Sequence, residues 1–376
     1  MKKHVSIYIL IDALGWNYIK ARPFLDNIAK TRQKVKSVFG YSSGVIPSIV
    51  TGKYPFLHKH WSLFFYSPLN SPFRWQKKFS FIPNRWFNTR AGRKIVEEIS
   101  KKLMGYKGYF ETYLIPVEYL SLFDISEKKN IYKPGGIREG KSIFDVWAEN
   151  KINYSCLSYP MQDNEIWAEA LKNIEKKETG VYFIYLADLD AFLHRYCKDS
   201  QMVNEKISWY EKEILKLYNK ACEFFSNVDL YVFSDHGMAP VYKSYDLKSE
   251  INDLKLKIPE DYVVIYDSTM ARFWFFKSSA KEKILELLKT KSYGRILSEK
   301  EKKDFGINFE NNQYGEVIFL METGSVINPS FMGSTAPSGM HGFDINDETM
   351  DAAFISNTNI NSNPVDVKDF FKIMSP

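Results

Sequence analysis

Four short apolar runs constrain this chain most: VSIYILID (5–12), NYSCLSY (153–159), GVYFIYLADLD (180–190) and VDLYVFSDHG (228–237). Each is a near-continuous stretch of β-branched and aromatic residues closing on polar groups, the pattern of a strand buried on both faces of a parallel sheet. Helical periodicity fills the gaps at about 22–34, 141–150, 163–178 and 203–225; in the last, Ile207, Tyr210, Ile214, Leu215, Leu217, Tyr218 and Cys222 recur at helical spacing. Alternation of this kind predicts an α/β core built on a doubly wound, mostly parallel sheet. Ligands of such sheets bind outside the carboxyl ends of the strands. Asp12, Asp188, Asp190, Asp235 and His236 all fall there.

At 376 residues the chain is too long for one typical domain. The expected division is a catalytic core in three parts (1–60, 140–240 and 316–376) interrupted by an aromatic and basic cap (61–139) and a small α+β subdomain (241–315). The subdomain carries a strand pair, DYVVIYDS (261–268) and ARFWFFK (271–277), a helix over 279–290 and a second helical start near Ser298. A strand over GEVIFLM (315–321) is expected to return the chain to the core. With 45% hydrophobic and 26% charged residues, the composition excludes a disordered or collagen-like chain. Cys156, Cys197 and Cys222 are odd in number and lack C-x-x-C spacing, which argues against a disulfide framework. Residues 1–11 are too short for a signal-peptide apolar region and have no cleavage site. No apolar stretch approaches the ~20 residues of a spanning helix, so a soluble cytoplasmic protein is expected.

The chemistry gathers on a few side chains. Asp190 and His194 are four apart, on one face of a helical turn. Asp235 and His236 close a strand, Asp12 ends another, and His341 lies in a glycine-flanked loop. Singly, such an Asp is a helix cap and such a His a hydrogen-bonded structural residue. Together, three Asp and three His at strand ends form an oxygen and nitrogen ligand set suited to Zn²⁺ or Mn²⁺. The segment GYSSGVIPSIVTGKYPFLHKHW (40–61) adds two serines at a loop-to-helix junction. A serine there, beside metal ligands, is a candidate nucleophile; without them it is a plain N-cap.

Asp12, the serines before P-S-I-V-T-G-x-Y-P-x-x-H, Asp190-x-x-x-His194, S-D-H-G (234–237) and M-H-G (340–342) occur in one order along the chain. In this the sequence resembles the alkaline phosphatase superfamily, in its type I phosphodiesterase/nucleotide pyrophosphatase branch. The resemblance implies a two-metal phosphoric ester hydrolase of phosphodiesterase or pyrophosphatase type. It points from Gly52 back to Ser42 as nucleophile, with Ser43 as the alternative, and to a phosphoseryl intermediate. It implies one ion held by Asp190, His194 and His341, and a second by Asp12, Asp235, His236 and the Ser42 oxygen, zinc foremost and manganese next. His58 matches a position expected to be structural; His60 and His4 have no counterpart.

Two departures matter. Val45 stands where the branch carries an Asn that helps bind a phosphoryl oxygen, so another donor, such as the Ser43 N–H, has to serve. The residues S-S-G-V-I (42–46) also lack the Pro and Arg of the sulfatase motif. Alternatives left open are a phosphotransferase delivering the phosphoryl group to an alcohol, a phosphomonoesterase, and a scaffold with a decayed site.

The net charge of +6 has a location. Between Arg74 and Lys107 ten basic residues (Arg74, Lys77, Lys78, Arg85, Arg90, Arg93, Lys94, Lys101, Lys102, Lys107) face only Glu97 and Glu98. Aromatics interleave them and flank them: Phe64, Phe65, Tyr66, Phe73, Trp75, Phe79, Phe81, Trp86, Phe87, Tyr106, Tyr109 and Phe110. Three readings follow: a lid whose aromatics pack on the core, a cap for a small anionic phosphate ester with an apolar or planar leaving group, or docking on an anionic membrane surface. For the last, Ile95, Val96, Ile99 and Leu103 make the apolar face of a basic helix over 92–106. No nucleic acid polymer is expected as a partner.

Overall fold

The computed structural model describes residues 4–79, 83–177, 179–360 and 362–376. Its centre is a six-stranded sheet in the order Thr31–Val35, Ala352–Ser356, Asn227–Phe233, His4–Ile11, Val181–Leu186, Tyr154–Leu157. His4–Ile11 pairs in parallel with both neighbours, and Tyr154–Leu157 joins in parallel at one edge. Ala352–Ser356 runs antiparallel to the strands on either side of it, so the sheet is mostly parallel.

Alternation along the first strand shows why it is apolar throughout. Ile7, Ile9 and Ile11 pack on one face in a cluster with Ile207, Tyr210, Ile214 and Leu217 of the helix Ser200–Phe224. Tyr8 and Leu10 face the other side, in a cluster with Ile46, Ile49 and Val50 of the helix Ser42–Thr51 and Phe144 and Trp147 of Ile143–Glu149. Both faces are covered, as the four apolar runs require.

Two expectations fail. Residues 22–34 form no helix: Leu25 takes a left-handed φ of 62°, turns occupy the segment, and Thr31–Val35 is an edge strand. The helical spacing of Phe24, Leu25 and Ile28 arises from a compact turn that buries Phe24 and Leu25. The strand over 315–321, observed as Val317–Met321, does not return to the core. It pairs antiparallel with Met270–Phe275 and Gly294–Ile296, completing a four-stranded sheet with Tyr262–Tyr266. Its five residues are all buried, and only a second apolar layer offers that burial. A subdomain boundary at 315 would cut this sheet.

The two insertions also share a core. Phe64, Phe73, Val96, Phe110 and Phe123 from 61–139 lie in one apolar cluster with Tyr262, Val264, Phe273 and Phe319. Of the apolar face expected on the basic helix, observed as Arg90–Met104, Val96 is fully buried in that cluster while Ile95 and Leu103 are 55% and 63% exposed. Many aromatics of the segment therefore act as core, and Phe81 of the series lies outside the described residues. Among the described residues, no helix is long and apolar enough to cross a membrane.

Candidate metal centre and nucleophile

Asp12 follows directly on His4–Ile11, and the turn after it is held by the Ala13 N–H, which donates to Asp235 Oδ1 at 3.1 Å. Asp235 and His236 lie just beyond Asn227–Phe233, in a loop rather than on the strand. The His236 N–H donates to the same Asp235 oxygen at 2.9 Å. Gly237 lets this loop pass close to its neighbour: a Cβ there would stand 2.1 Å from the Thr349 carbonyl oxygen. Asp190 and His194 sit one turn apart on the helix Asp188–Tyr196, and His341 follows the short strand Gly339–Met340.

These loops bring the six side chains into two groups. In each of Asp12, Asp235, His236 and Asp190, His194, His341, one ligand atom per residue lies within 4.8 Å of the others. His236 Nε2 is 3.4 Å from Asp12 Oδ1 and 3.2 Å from Asp235 Oδ2. Asp190 reaches His194 Nε2 at 3.3 Å with one oxygen and His341 Nε2 at 3.5 Å with the other. The rings of His236 and His341 stack at 3.8 Å, so the two groups adjoin. Outer contacts orient the rings: His236 Nδ1 is 2.8 Å from the Gly237 oxygen, and His194 Nδ1 is 2.9 Å from that of Gly339.

Ser42 is the first residue of the helix Ser42–Thr51, where unpaired backbone N–H groups favour an incoming anion. Its Oγ lies 3.0 Å from His236 Nε2 and donates to Asp12 Oδ1 at 3.3 Å. Ser43 instead donates to the Trp61 carbonyl at 3.4 Å. Val45 points into the apolar cluster with Leu10 and Ile49, away from the two groups. His58 is buried 2.9 Å from Ser48 Oγ and accepts the His60 N–H; His60 Nε2 accepts the Arg138 N–H at 3.0 Å. His4 is exposed and meets Asp229 at 2.7 Å. Asp188 opens the helix Asp188–Tyr196, and its N–H donates to Asp163 Oδ1 at 3.4 Å.

Burial raises the carboxyl of Asp12 well above the usual range, and the nearby Asp235 and Asp190 raise it further. Burial acts on Asp190 in the same sense, but the rings of His194, His341 and His236 hold it below the ordinary carboxylate value. His341 is pushed far down by burial and by His236. Three carboxylates, two of them buried and Asp190 partly exposed, demand positive charge when packed this closely. Asp190 Oδ1, Asp235 Oδ2 and His341 Nδ1 are buried with no hydrogen-bond partner among the described residues. This donor set fits two small divalent cations.

Sequence reasoning missed Tyr185, whose hydroxyl donates to Asp12 Oδ2 at 2.6 Å. It also missed Tyr41, edge-on to His341 at 5.5 Å and bonded to Thr269 Oγ1 at 2.7 Å. Tyr185 lies in an apolar strand and only its register brings it to the site, whereas Tyr41 directly precedes Ser42 as the N-cap of its helix, a signal the sequence did offer.

The model of the type I phosphodiesterase/nucleotide pyrophosphatase family matches residues 6–344. The chain belongs to this family. Its members hydrolyse phosphate esters with the help of two metal ions, typically zinc, and the chain is accordingly a phosphate-ester hydrolase. Among solved structures it is similar to murine ectonucleotide pyrophosphatase/phosphodiesterase 5, with TM-score 0.69 and 15% identity, over 100% of this chain and 94% of that one. The human counterpart gives 0.68 at 15% identity, with the same coverage. An inactive variant of the murine protein in complex with AMP gives 0.68 at 15% identity, over 99% of this chain and 94% of that one. At this identity the likeness establishes the fold, an α/β architecture around a mostly parallel sheet. A search of curated protein sequences gives no significant match.

Proposed function

We propose that the chain hydrolyses phosphodiester or pyrophosphate bonds through a phosphoseryl intermediate on Ser42. The observation that carries this reading is the placement of Ser42 Oγ at a helix start, within 3.0 Å of His236 and 3.3 Å of Asp12, while Ser43 turns to Trp61. Asp12, Asp235, His236 and the Ser42 oxygen would hold one ion, and Asp190, His194 and His341 the other; Zn²⁺ suits this set best, Mn²⁺ next. When bound, the ions stabilise the attacking oxygen and the charge on phosphorus and lower the pKa of water.

The chain's own residues do the rest. Ser42 Oγ, poised beside Asp12 and His236, forms a bond to phosphorus as the bond to the leaving oxygen breaks; the serine proton goes to solvent, from which the leaving oxygen takes one. The helix start faces the phosphoryl oxygens with backbone N–H groups, Ser43 among them, in the role that Val45 cannot fill. Tyr185 ties up Asp12 Oδ2, which leaves Oδ1 for Ser42. Water then attacks phosphorus and releases Ser42. The AMP bound to the murine relative supports a small phosphate ester with a nucleoside-like group as substrate.

Hydrolysis of bis-para-nitrophenyl phosphate, para-nitrophenyl phosphate and para-nitrophenyl sulfate under Zn²⁺, Mn²⁺ and Mg²⁺ tests the reading. The diester should be turned over fastest, the sulfate not at all. Chelation should abolish turnover, and Zn²⁺ or Mn²⁺ should restore it better than Mg²⁺. Faster turnover of the monoester would replace the diesterase reading, and phosphoglycerol formed with added glycerol would mark a transferase.

A further inference from the structure

Away from the two ligand groups, an open cavity of about 730 Å³ lies within the cap segment itself, with Gln313 closing one side. None of the metal-site residues lines it. That volume suits a small organic ligand, and the lining sets its charge. Asp124 is the one carboxylate among the lining residues, and Lys128 neutralises it at 2.5 Å. Two guanidinium groups remain. Arg138 lies over the Phe65 ring, with its Cζ 4.3 Å from the centroid, and one terminal nitrogen donates to the Lys59 carbonyl at 2.9 Å. Arg74 donates from one nitrogen to the Leu69 carbonyl at 2.6 Å. Among the described residues neither has an ion-pair partner, so each is positioned by neutral groups with further N–H donors to spare.

Pre-positioned guanidinium groups that lack a counter-charge are a recognition device for phosphate, whose oxygens match their forked donors. The rim adds a second character. Leu69 and Met104, both lining residues, are 76% and 47% exposed. We propose that this cavity binds a phosphoryl anion, carried on a free small molecule or on an anionic lipid headgroup, at a site separate from the catalytic centre.

The test uses the full, metal-loaded chain and calorimetric titration with inorganic phosphate. Wild type should bind two equivalents, one at each site. The R74Q/R138Q double variant should bind one, with turnover of bis-para-nitrophenyl phosphate within about twofold of wild type, since neither arginine belongs to the catalytic machinery. Retained turnover shows that the double variant is folded. The charge-conserving R74K/R138K variant should keep the second equivalent with weakened affinity. Equal numbers of equivalents in wild type and in the glutamine variant overturn the proposal. Failure of the catalytic reading would remove the other equivalent from both proteins and leave this difference of one untouched.

Co-sedimentation with phosphatidylcholine vesicles, with and without phosphatidylglycerol, distinguishes the sources. Binding that requires phosphatidylglycerol and is lost in R74Q/R138Q assigns the lipid headgroup. Two phosphate equivalents without sedimentation assign the free ligand. Sedimentation that survives in the double variant overturns the cavity as a lipid site.

Discussion

Ser42 and Ser43 are adjacent and chemically identical, so a comparison between them isolates position. Only Ser42 Oγ reaches Asp12 and His236, while Ser43 is bound to the Trp61 carbonyl. Ser42→Ala should lower turnover by at least about 10³-fold with the fold intact, and Ser43→Ala by less than about tenfold, measured on a diester substrate. Equal losses would remove Ser42 as nucleophile. A second prediction at this scale concerns His60, whose pKa burial, and then Arg138, push down to about 3 from an ordinary 6.5. The folded state keeps this ring neutral, so the unfolded chain takes up a proton first as pH falls. Stability is then lost progressively from pH 6.5 toward 3, by about 2 kcal/mol between pH 7 and 5. His60→Gln, which keeps an acceptor for the Arg138 N–H, should flatten that slope in urea titrations; an unchanged slope would place the low-pH loss elsewhere. The six residues that the structure gathers into two groups were marked in the sequence by strand ends, helical i, i+4 spacing and motif order. Tyr185 was not legible: it reads as one more apolar strand residue. Only the register that sets Leu10 beside Tyr185 turns its hydroxyl toward Asp12.

Among the elements, those with a full amphipathic period were legible. Residues 163–178 and 203–225 correspond to the helices Asp163–Lys176 and Ser200–Phe224. The segment 22–34 was misread because three apolar residues at helical spacing also suit a turn, and neither Leu25's left-handed backbone nor an edge strand as polar as TRQKV leaves a clear periodic trace. Contacts between elements were equally silent. Asp163, the first residue of its helix, accepts the Ala187 N–H at 3.0 Å at the start of the helix that carries Asp190 and His194. It also accepts the Tyr210 hydroxyl. Burial raises its carboxyl to about 6. Asp163 thus acts as a positioning residue through Asp188–Tyr196. Asp163→Ala should cost about 1–3 kcal/mol of stability and weaken metal binding about tenfold, read by denaturant titration and by competition with a chromophoric chelator. Asp163→Asn keeps an acceptor oxygen and should recover most of the metal affinity. Loss of stability with unchanged metal affinity would reduce Asp163 to a core hydrogen-bond partner.

For the molecule as a whole, strand–helix alternation made the mostly parallel central sheet legible, but the shared apolar cluster of segments 61–139 and 241–321 was not. It depends on long-range pairing, as when Val317–Met321 joins Met270–Phe275, and on residues from both insertions filling one cluster. A single buried side chain shows how that lobe is tied to the catalytic core. Arg272, fully buried on Met270–Phe275, forms an ion pair with Asp267 at 2.7 Å and donates to the Phe64 carbonyl at 3.0 Å and to Ser62 Oγ at 2.9 Å. Ser62 and Phe64 follow Trp61, whose carbonyl holds Ser43 and would be only 2.7 Å from a Cβ at Gly44. The path from the small sheet to the helix Ser42–Thr51 is therefore short and buried. Arg272→Ala leaves Asp267 as an unpaired buried carboxylate and strips the Phe64 and Tyr314 carbonyls and Ser62 Oγ of a donor, so it should cost about 3–5 kcal/mol in equilibrium unfolding. Pairing it with Asp267→Asn removes the stranded charge and should restore part of that loss. If Arg272→Ala costs less than about 1 kcal/mol, the lobe is held to the core by its apolar cluster alone.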